Sequence, residues 1–363
     1  MPTTDRRGEP TDPVHAVSDG EVAFINPKPG LSNYGRYIVL RHRWDGIEVF
    51  TLYAHLREVA EGLVMGQFVR KGQVIATLGH STNTREGISR DRAQLHFKID
   101  VMFNPHFHIW YPKRDPQAPP FGNFNGLNLW GMYPAAFFRT CAANPKPNGA
   151  PGAMNFAEYA NKQPIAFTVL VNAKPFPWLA AHPEQVHSSN VAAQGTAVAY
   201  EIGSTWFGLP IAVWPRAGGE ISETERCVLQ RGRSVLHWVD EVAIGRNPCR
   251  DLVRRSGRGW QFTRDGQEWI ELLTYTPETD RLRVGIIGWK NRLANVKASA
   301  VASSPASSAA LQWHPAIASD NRCALHTPVI VVASLHNALR MFWRQSYPIS
   351  PRYLAKPFSP LAT

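Results

Sequence analysis

The chain has 363 residues and 44% of them are hydrophobic, which gives it enough length and apolar content for two or three domains with real cores and argues against a disordered chain. Its formal net charge of +11 favours acidic partners: nucleic acid, anionic cell wall or anionic lipid. The 29 prolines, 27 glycines and 12 tryptophans indicate frequent turns with aromatic packing, which favours a mainly β protein over a helical bundle.

Cysteine spacing and the first residues bear on metal binding, disulfides and export. The four cysteines are widely separated and form no CxxC, which argues against a cysteine zinc site; two disulfides and four buried thiols both stay open. The polar opening MPTTDRRGEP has no secretory signal, and we expect no transmembrane segment. The protein is then cytoplasmic, leaves by another route, or begins upstream of Met1. The cysteines are Cys141, Cys227, Cys249 and Cys323.

Residues 13–103 are predicted to form an antiparallel β-sheet domain. Short apolar or alternating runs are separated by turn signals such as Asp19-Gly20 and Asp45-Gly46. The predicted strands are EVAFI, RYIVLRH, IEVFTLYAHL, QVIATLG and AQLHFKIDVMF.

Strand alternation places candidate polar residues on common faces. In TLYAHL it predicts Tyr53 and His55 on one face. In AQLHFK it predicts Gln94, His96 and Lys98 on one face, with apolar residues on the other.

The sequence after residue 111 divides into three segments. Residues 112–165 are rich in Pro, Gly and Asn and predict a long, irregular connection. Residues 166–300 return to strand-like runs and predict a second β-rich domain, with the strands IAFTVLV, AVAYEI, LPIAVWP, SVLHWV, EWIELLTY and RVGIIGW. Residues 301–363 are expected to hold a small-residue linker and a C-terminal strand and helix.

Part of the second domain resembles a bacterial Src-homology-3-like barrel. The resemblance rests on GQEWIELLTY followed by RVGIIGWKNRLANVK. A generic β-sheet with buried tryptophans fits the same residues, and both interpretations stay open.

The first third of the chain carries an ordered set of motifs. PVHAVSDGEV, YGRYIVLRH, YAHL, VRKGQVIATLG and QLHF occur in this order, followed by Asn104-Pro105. Together they resemble the lysostaphin-type, LytM-like zinc endopeptidases, which cut peptidoglycan cross-bridges. The resemblance covers residues 1–111. It implies a LytM-like fold with its duplicated hybrid motif, zinc as cofactor, peptidoglycan or cell-wall peptide as partner, and a bacterial cell-envelope or extracellular location.

The resemblance also assigns roles to single residues. In the family, zinc is held by the His and Asp of H-x-x-x-D and by the second His of H-x-H. Carried over, Asp5 and His96 are metal ligands. His55, in the motif Y-x-H-L, is catalytic, and Tyr53 and Gln94 lie beside the substrate. Three protein ligands on zinc leave a fourth position for a water whose pKa falls to about 7.

Three positions depart from the family pattern. The first zinc ligand falls on Met1, and the two ligands that remain seldom hold zinc tightly. Gln94 stands where the other catalytic His is expected, and an amide cannot exchange a proton near neutral pH. Lys98 replaces the usual Glu and brings positive charge near the metal.

We therefore expect a LytM-like protein that binds cell-wall peptide or a partner protein rather than cutting peptidoglycan. An active zinc endopeptidase is the first alternative, because a histidine upstream of Met1 would complete the three ligands. A nucleic-acid-binding protein is the weakest alternative, since the arginines of CRDLVRRSGRGW accompany no known recognition motif and fit a solvated basic face. They are Arg250, Arg254, Arg255 and Arg258.

Overall fold

The computed structural model describes residues 3–44, 46–143, 156–187, 195–244, 251–257 and 259–278. These residues form a mainly β structure whose sheets are antiparallel, as the sequence predicts. The strands are β1 Pro13–His15, β2 Gly20–Asn26, β3 Arg36–Trp44, β4 Ile47–Leu56, β5 Glu58–Val59, β6 Phe68–Val69, β7 Val74–Thr77, β8 His96–Met102, β9 Leu129–Met132, β10 Phe167–Asn172, β11 Ala199–Ser204, β12 Pro210–Arg216, β13 Val235–Val239, β14 Val253–Ser256 and β15 Gly259–Phe262.

Short helices connect these strands. The α-helices are α1 Phe107–Trp110, α2 Pro134–Ala143, α3 Phe156–Asn161, α4 Pro177–Ala181, α5 Glu223–Gln230 and α6 Arg264–Leu273. Single 3-10 turns cover Pro29–Leu31, Arg90–Arg92, Tyr111–Lys113, Gly122–Phe124, Pro183–Gln185 and Gly218–Glu220. No helix in the described ranges has the length and apolar character needed to span a bilayer.

The N-terminal half is built on a six-stranded sheet with the order β6-β2-β3-β4-β8-β9. A smaller sheet, β1-β7-β5, lies beside it. The five strands predicted between residues 13 and 103 correspond to β2, β3, β4, β7 and β8. Turns between them use glycine where the chain needs a left-handed backbone, as at Gly46, whose φ is 85°.

The predicted connection at residues 112–165 contains regular structure. Its strand β9 pairs with β8 and completes the N-terminal sheet, and α2 follows at once. Strand β9 was not predicted from the sequence. Its four residues, LWGM, are too few for a periodic signal and follow a Pro/Gly/Asn-rich stretch.

The second half contains a four-stranded sheet with the order β12-β11-β10-β13 and a hairpin of β14 and β15. The sheet contains four of the predicted strands, IAFTVLV, AVAYEI, LPIAVWP and SVLHWV. The prediction of a strand in EWIELLTY is wrong, because these residues belong to α6 and the turn that follows it.

Helix α6 has the local features of an amphipathic helix. The hydroxyl of Thr263 accepts a hydrogen bond from the backbone N–H of Gly266 and caps the first turn. Trp269, Ile270 and Leu273 are buried at helical spacing. The described residues give no evidence of a Src-homology-3-like barrel, and its proposed second half, residues 283–297, lies outside them.

The two halves share one apolar core. The ring of Phe103, just after β8, lies 4.8 Å from Trp130, 5.7 Å from Trp178 and 6.1 Å from Trp269. The side-chain amide of the fully buried Asn104 donates hydrogen bonds to the carbonyls of Leu272 (2.7 Å) and Tyr275 (2.9 Å).

The cysteine pairing stays open. Cys227, on α5, is half-buried and forms no disulfide with another described residue. Cys249 and Cys323 lie outside the described residues.

Replacing Asn104 with alanine should destabilise the protein by about 2–4 kcal/mol, because two buried carbonyl groups then lose their donor. The urea midpoint of the full chain measures this. Asn83→Ala, at an exposed loop position, is the control and should change stability by less than about 0.5 kcal/mol. Equal midpoints for the two variants would show that the Asn104 contacts contribute nothing to joining the halves.

Candidate functional site

The candidate site forms where β4 ends and β8 begins. His55, next to last in β4, has a φ of 61°, and it is the one non-glycine residue with positive φ in the described ranges. Such a backbone is strained for a residue with a side chain, and strain of this kind is concentrated at functional sites. The N–H of His55 donates to the carbonyl of Tyr34 at 2.8 Å.

This backbone breaks the strand alternation. The prediction that Tyr53 and His55 share a face is wrong: Tyr53 points into the main core beside Phe97, while the His55 ring turns toward His96. The centroids of the two imidazoles are 5.7 Å apart.

His96 is the first residue of β8 and pairs with Ala54. Its ring also meets the ring of Tyr34 edge-on, with 5.2 Å between the centroids. The Nε2 atom of His96 is buried and has no hydrogen-bond partner among the described residues.

The other imidazole is oriented by the backbone. Nδ1 of His55 lies 2.8 Å from the carbonyl oxygen of Ser81. A carbonyl only accepts, so Nδ1 carries the proton, and Nε2 of the neutral His55 ring is left as an acceptor.

Two glycines allow this arrangement. A Cβ on Gly35 would lie 2.2 Å from the carbonyl oxygen of Ser81, and a Cβ on Gly79 would lie 2.2 Å from the N of Arg57. The Ser81 hydroxyl also donates to the carbonyl of Leu56 at 2.8 Å. Three backbone segments therefore meet around Ser81 and fix the His55 ring.

Both imidazoles are held neutral. Burial lowers the pKa of His55, although its hydrogen bond to Ser81 opposes the shift. Burial, assisted by His55 and Lys98, lowers the pKa of His96 to about 3. At neutral pH the pair can accept hydrogen bonds or ligate a metal but carries no charge.

A buried ion pair lies beside His96. The ammonium of Lys98 is 3.1 Å from Oδ1 of Asp100 and donates to the carbonyl of Leu129 at 2.8 Å. Burial raises the pKa of Asp100 to about 6, against the opposing effect of Lys98. Lys98, which stands where the resemblance predicts Glu, is held in the sheet by these two contacts.

Asp5 lies in an ion pair instead of a three-ligand group. Its carboxylate is 3.2 Å from Nη1 of Arg57 and accepts hydrogen bonds from the N–H groups of Glu9 and Arg7. The hydrogen bonds from Glu9 and Arg7 lower the pKa of Asp5.

The described part of the chain contains no group of three or more His, Cys, Asp or Glu side chains that could hold a metal. The predicted ligands Asp5 and His96 are therefore not part of a three-residue metal group among the described residues. The described donor set does not fit a tetrahedral zinc site, which needs three protein ligands.

The two predicted substrate contacts differ in position. Gln94 lies just before β8, is partly exposed, and its N–H donates to the carbonyl of Gly79 at 3.1 Å, so it lies outside the strand in which it was predicted. Tyr53 is 1% exposed, and its hydroxyl accepts a hydrogen bond from the N–H of Val17. Its predicted contact with substrate is wrong, because the ring is enclosed in the core.

The sheet face that carries His96 is partly covered by the chain itself. Phe121 and Phe124 pack on Phe24 and Tyr37, and the Tyr37 hydroxyl donates to the Phe124 carbonyl at 3.3 Å. A Cβ on Gly126 would lie 2.3 Å from Tyr34. The site is therefore bordered on this side by residues 121–129.

Sequence comparison identifies the domain that carries this site. Residues 3–106 match the profile of peptidase family M23. This region is a LytM-like M23 domain. The matched range ends at residue 106 of 363. No curated protein matches the chain.

Three solved structures show sequence similarity to the M23 domain. Csd3 of Helicobacter pylori is 30% identical over 24% of this chain and 20% of its own (TM-score 0.19). A zinc-containing peptidase from Vibrio cholerae is 27% identical over 24% and 23% (0.19). The catalytic domain of lysostaphin, an antimicrobial peptidase from Staphylococcus simulans, is 27% identical over 24% and 58% (0.19). In each case the match spans less than two thirds of the other chain.

Sequence reasoning missed Tyr34, Ser81 and Arg57, which contact the predicted site residues. Ser81 and Tyr34 act through backbone carbonyls and ring packing, for which residue type gives no signal. The last glycine of VRKGQVIATLG, Gly79, was an available signal, because glycine allows a close backbone approach that a side chain would block.

Replacing Gly79 with alanine should destabilise the M23 domain by about 3 kcal/mol or more, because the new methyl group would overlap the backbone of Arg57. Gly30→Ala is the matched control, since a Cβ there meets nothing within 4 Å. Urea midpoints measure both variants. A Gly79→Ala protein as stable as Gly30→Ala would contradict the described contact.

The His96 ring should stay neutral from pH 8 to pH 5, because its folded pKa of about 3 lies below the ordinary value of 6.5. The unfolded chain takes up a proton there as pH falls through 6.5, so stability is lost as pH falls from about 6.5 toward 3. NMR of the ring protons follows the titration, and His96→Gln should lose less stability between pH 7 and pH 5. A midpoint near 6.5 in the folded protein would refute this.

Proposed function

We propose that the M23 domain is a peptidoglycan-associated module that binds cell-wall peptide without cutting it. The observation that carries the proposal is that the carboxylate of Asp5, a predicted zinc ligand, is paired with Arg57 at 3.2 Å. The M23 match and the ordered LytM-like motifs support the choice of cell-wall peptide as the partner class.

The surviving side chains are suited to recognition. The partly exposed Gln94 has both donors and an acceptor for peptide amides, and the half-buried, neutral His96 can add a hydrogen bond. His55 is buried and packs against the His96 ring. The net charge of +11 favours association with an anionic wall. An envelope or extracellular location follows from the same proposal.

The same residues are poor at hydrolysis. General acid–base catalysis needs a group that exchanges protons near pH 7. Gln94 cannot do this, and His96 is held neutral down to about pH 3. His55 alone would have to accept and return the proton. The described residues also lack the three ligands that would hold a zinc ion for hydrolysis.

Purified full chain should sediment with peptidoglycan sacculi at moderate salt. His96→Ala should weaken binding about three- to tenfold, the range expected when one hydrogen-bonding group is lost. His108→Ala, at an exposed position on α1, is the matched control and should bind as wild type does. The proposal fails if wild type stays in the supernatant, or if both variants bind equally well.

An active zinc endopeptidase is the second candidate. It is favoured by Nε2 of His96, which is buried, lacks a partner among the described residues, and is the kind of atom that ligates zinc. A third ligand would then have to come from residues outside the described site. The two candidates differ in whether the purified chain holds zinc. A role in binding a partner protein at the same site is a variant of the first candidate.

A further inference from the structure

Two β-turns of the same construction follow one another in the M23 domain, at residues 64–67 and 70–73. In each, the third residue is a glycine with a φ of 82° and the fourth is a glutamine. The glutamine N–H donates to the carbonyl of the first residue, at 3.2 Å in the first turn and 3.0 Å in the second. The first residue's N–H donates to the glutamine Oε1, at 3.1 Å in both.

Both turns are anchored to neighbouring backbone in the same way, the first to β2 and the second to the residue after β1. Val22 accepts from the glycine N–H of the first turn at 2.8 Å and donates to the glutamine carbonyl at 2.8 Å. Ala16 makes the equivalent pair with the second turn, at 2.8 and 2.9 Å. The side chains at the turn tips are therefore held on a rigid backbone.

The two tips differ in chemistry. The first exposes Val64 (59%) and Met65 (62%), and Phe68, between the turns, is 60% exposed. The second exposes Arg70 and Lys71. These five residues form what we call the paired-turn surface. Glu61, an exposed acid, precedes it in the loop.

This concentration of apolar side chains is unusual for the molecule. Among large apolar side chains in the described ranges, Val242 is the one other residue that is more than half exposed. Exposed apolar groups collected in one place favour an interaction site.

We propose that the paired-turn surface docks the protein on an anionic lipid bilayer. The apolar tip enters the interface, and the basic tip meets anionic headgroups. An anionic wall polymer would match Arg70 and Lys71 but offers no apolar interior for Val64, Met65 and Phe68. The net charge of +11 adds long-range attraction to the same surface.

Docking here leaves the histidine site free. β6 is the edge strand at one side of the sheet, and β8, which carries His96, is four strands away. With neighbouring strands about 4.8 Å apart, the separation is about 19 Å. Docking on a bilayer at this surface does not depend on the proposed peptide binding.

Flotation of the full chain with vesicles tests the proposal. Wild type should bind vesicles of phosphatidylglycerol and phosphatidylcholine and bind pure phosphatidylcholine weakly. Val64→Ser/Met65→Ser/Phe68→Ser should lose about tenfold or more in affinity, because three apolar side chains no longer enter the interface. Arg70→Gln/Lys71→Gln should lose about fivefold for each charge removed, and less at high salt.

Val242→Ser and Arg231→Gln/Arg233→Gln are matched controls, exposed in the second half, and should bind as wild type does. If the triple variant does not fold by circular dichroism, Met65→Ser alone should still weaken binding. Three results would overturn the proposal. The first is no vesicle binding by wild type, and the second is unchanged affinity in a folded variant that lacks the three apolar side chains. The third is that this variant still binds vesicles but no longer self-associates.

Discussion

The close approach of three backbone segments around Ser81 is the constraint on which the candidate site depends. Gly35 and Gly79 are required because any side chain there would overlap neighbouring backbone atoms at 2.2 Å. This packing positions the Ser81 carbonyl, which accepts a hydrogen bond from Nδ1 of His55. The left-handed backbone of His55 turns its ring toward His96. Strain at one histidine is thus maintained by packing at two glycines.

The neighbouring charges explain why this site differs from a three-ligand zinc centre. Arg57, in the same group of backbone contacts, pairs with Asp5, and Lys98 is held beside His96 by Asp100 and the Leu129 carbonyl. Lys98 opposes a second cation at His96, since its charge lowers the pKa of that imidazole. The site therefore places two neutral histidines of the M23 domain beside the fixed charge of Lys98.

Much of the fold could be predicted from the sequence, because apolar runs of strand length are separated by turn signals. These signals located β2, β3 and β4, although β4 is buried on both faces. Alternation along the strand gave the inward direction of Phe97. It failed at His55, where a positive φ interrupts the alternation, and in EWIELLTY, where strand-forming residues also satisfy helical spacing. A short apolar run fits both the helical and the strand period. In this segment only the helix cap at Thr263 distinguishes a helix from a strand.

The site was predictable in its residue types and less so in its geometry. The motifs identified His55, Gln94 and His96, but burial of Tyr53 and the pairing of Asp5 depend on long-range contacts with Val17 and Arg57. No local pattern encodes such contacts. Strand β9 could not be predicted for the same reason: it is defined by pairing with β8, which is distant in the sequence.

Zinc content of the purified full chain, measured beside that of His96→Ala, tests the central claim most directly. The account predicts well under one zinc per chain in wild type after dialysis against zinc, and the same value in the variant, because two histidines without a third ligand hold zinc weakly. About one zinc per wild-type chain that is lost in His96→Ala would contradict it and make the endopeptidase the leading function.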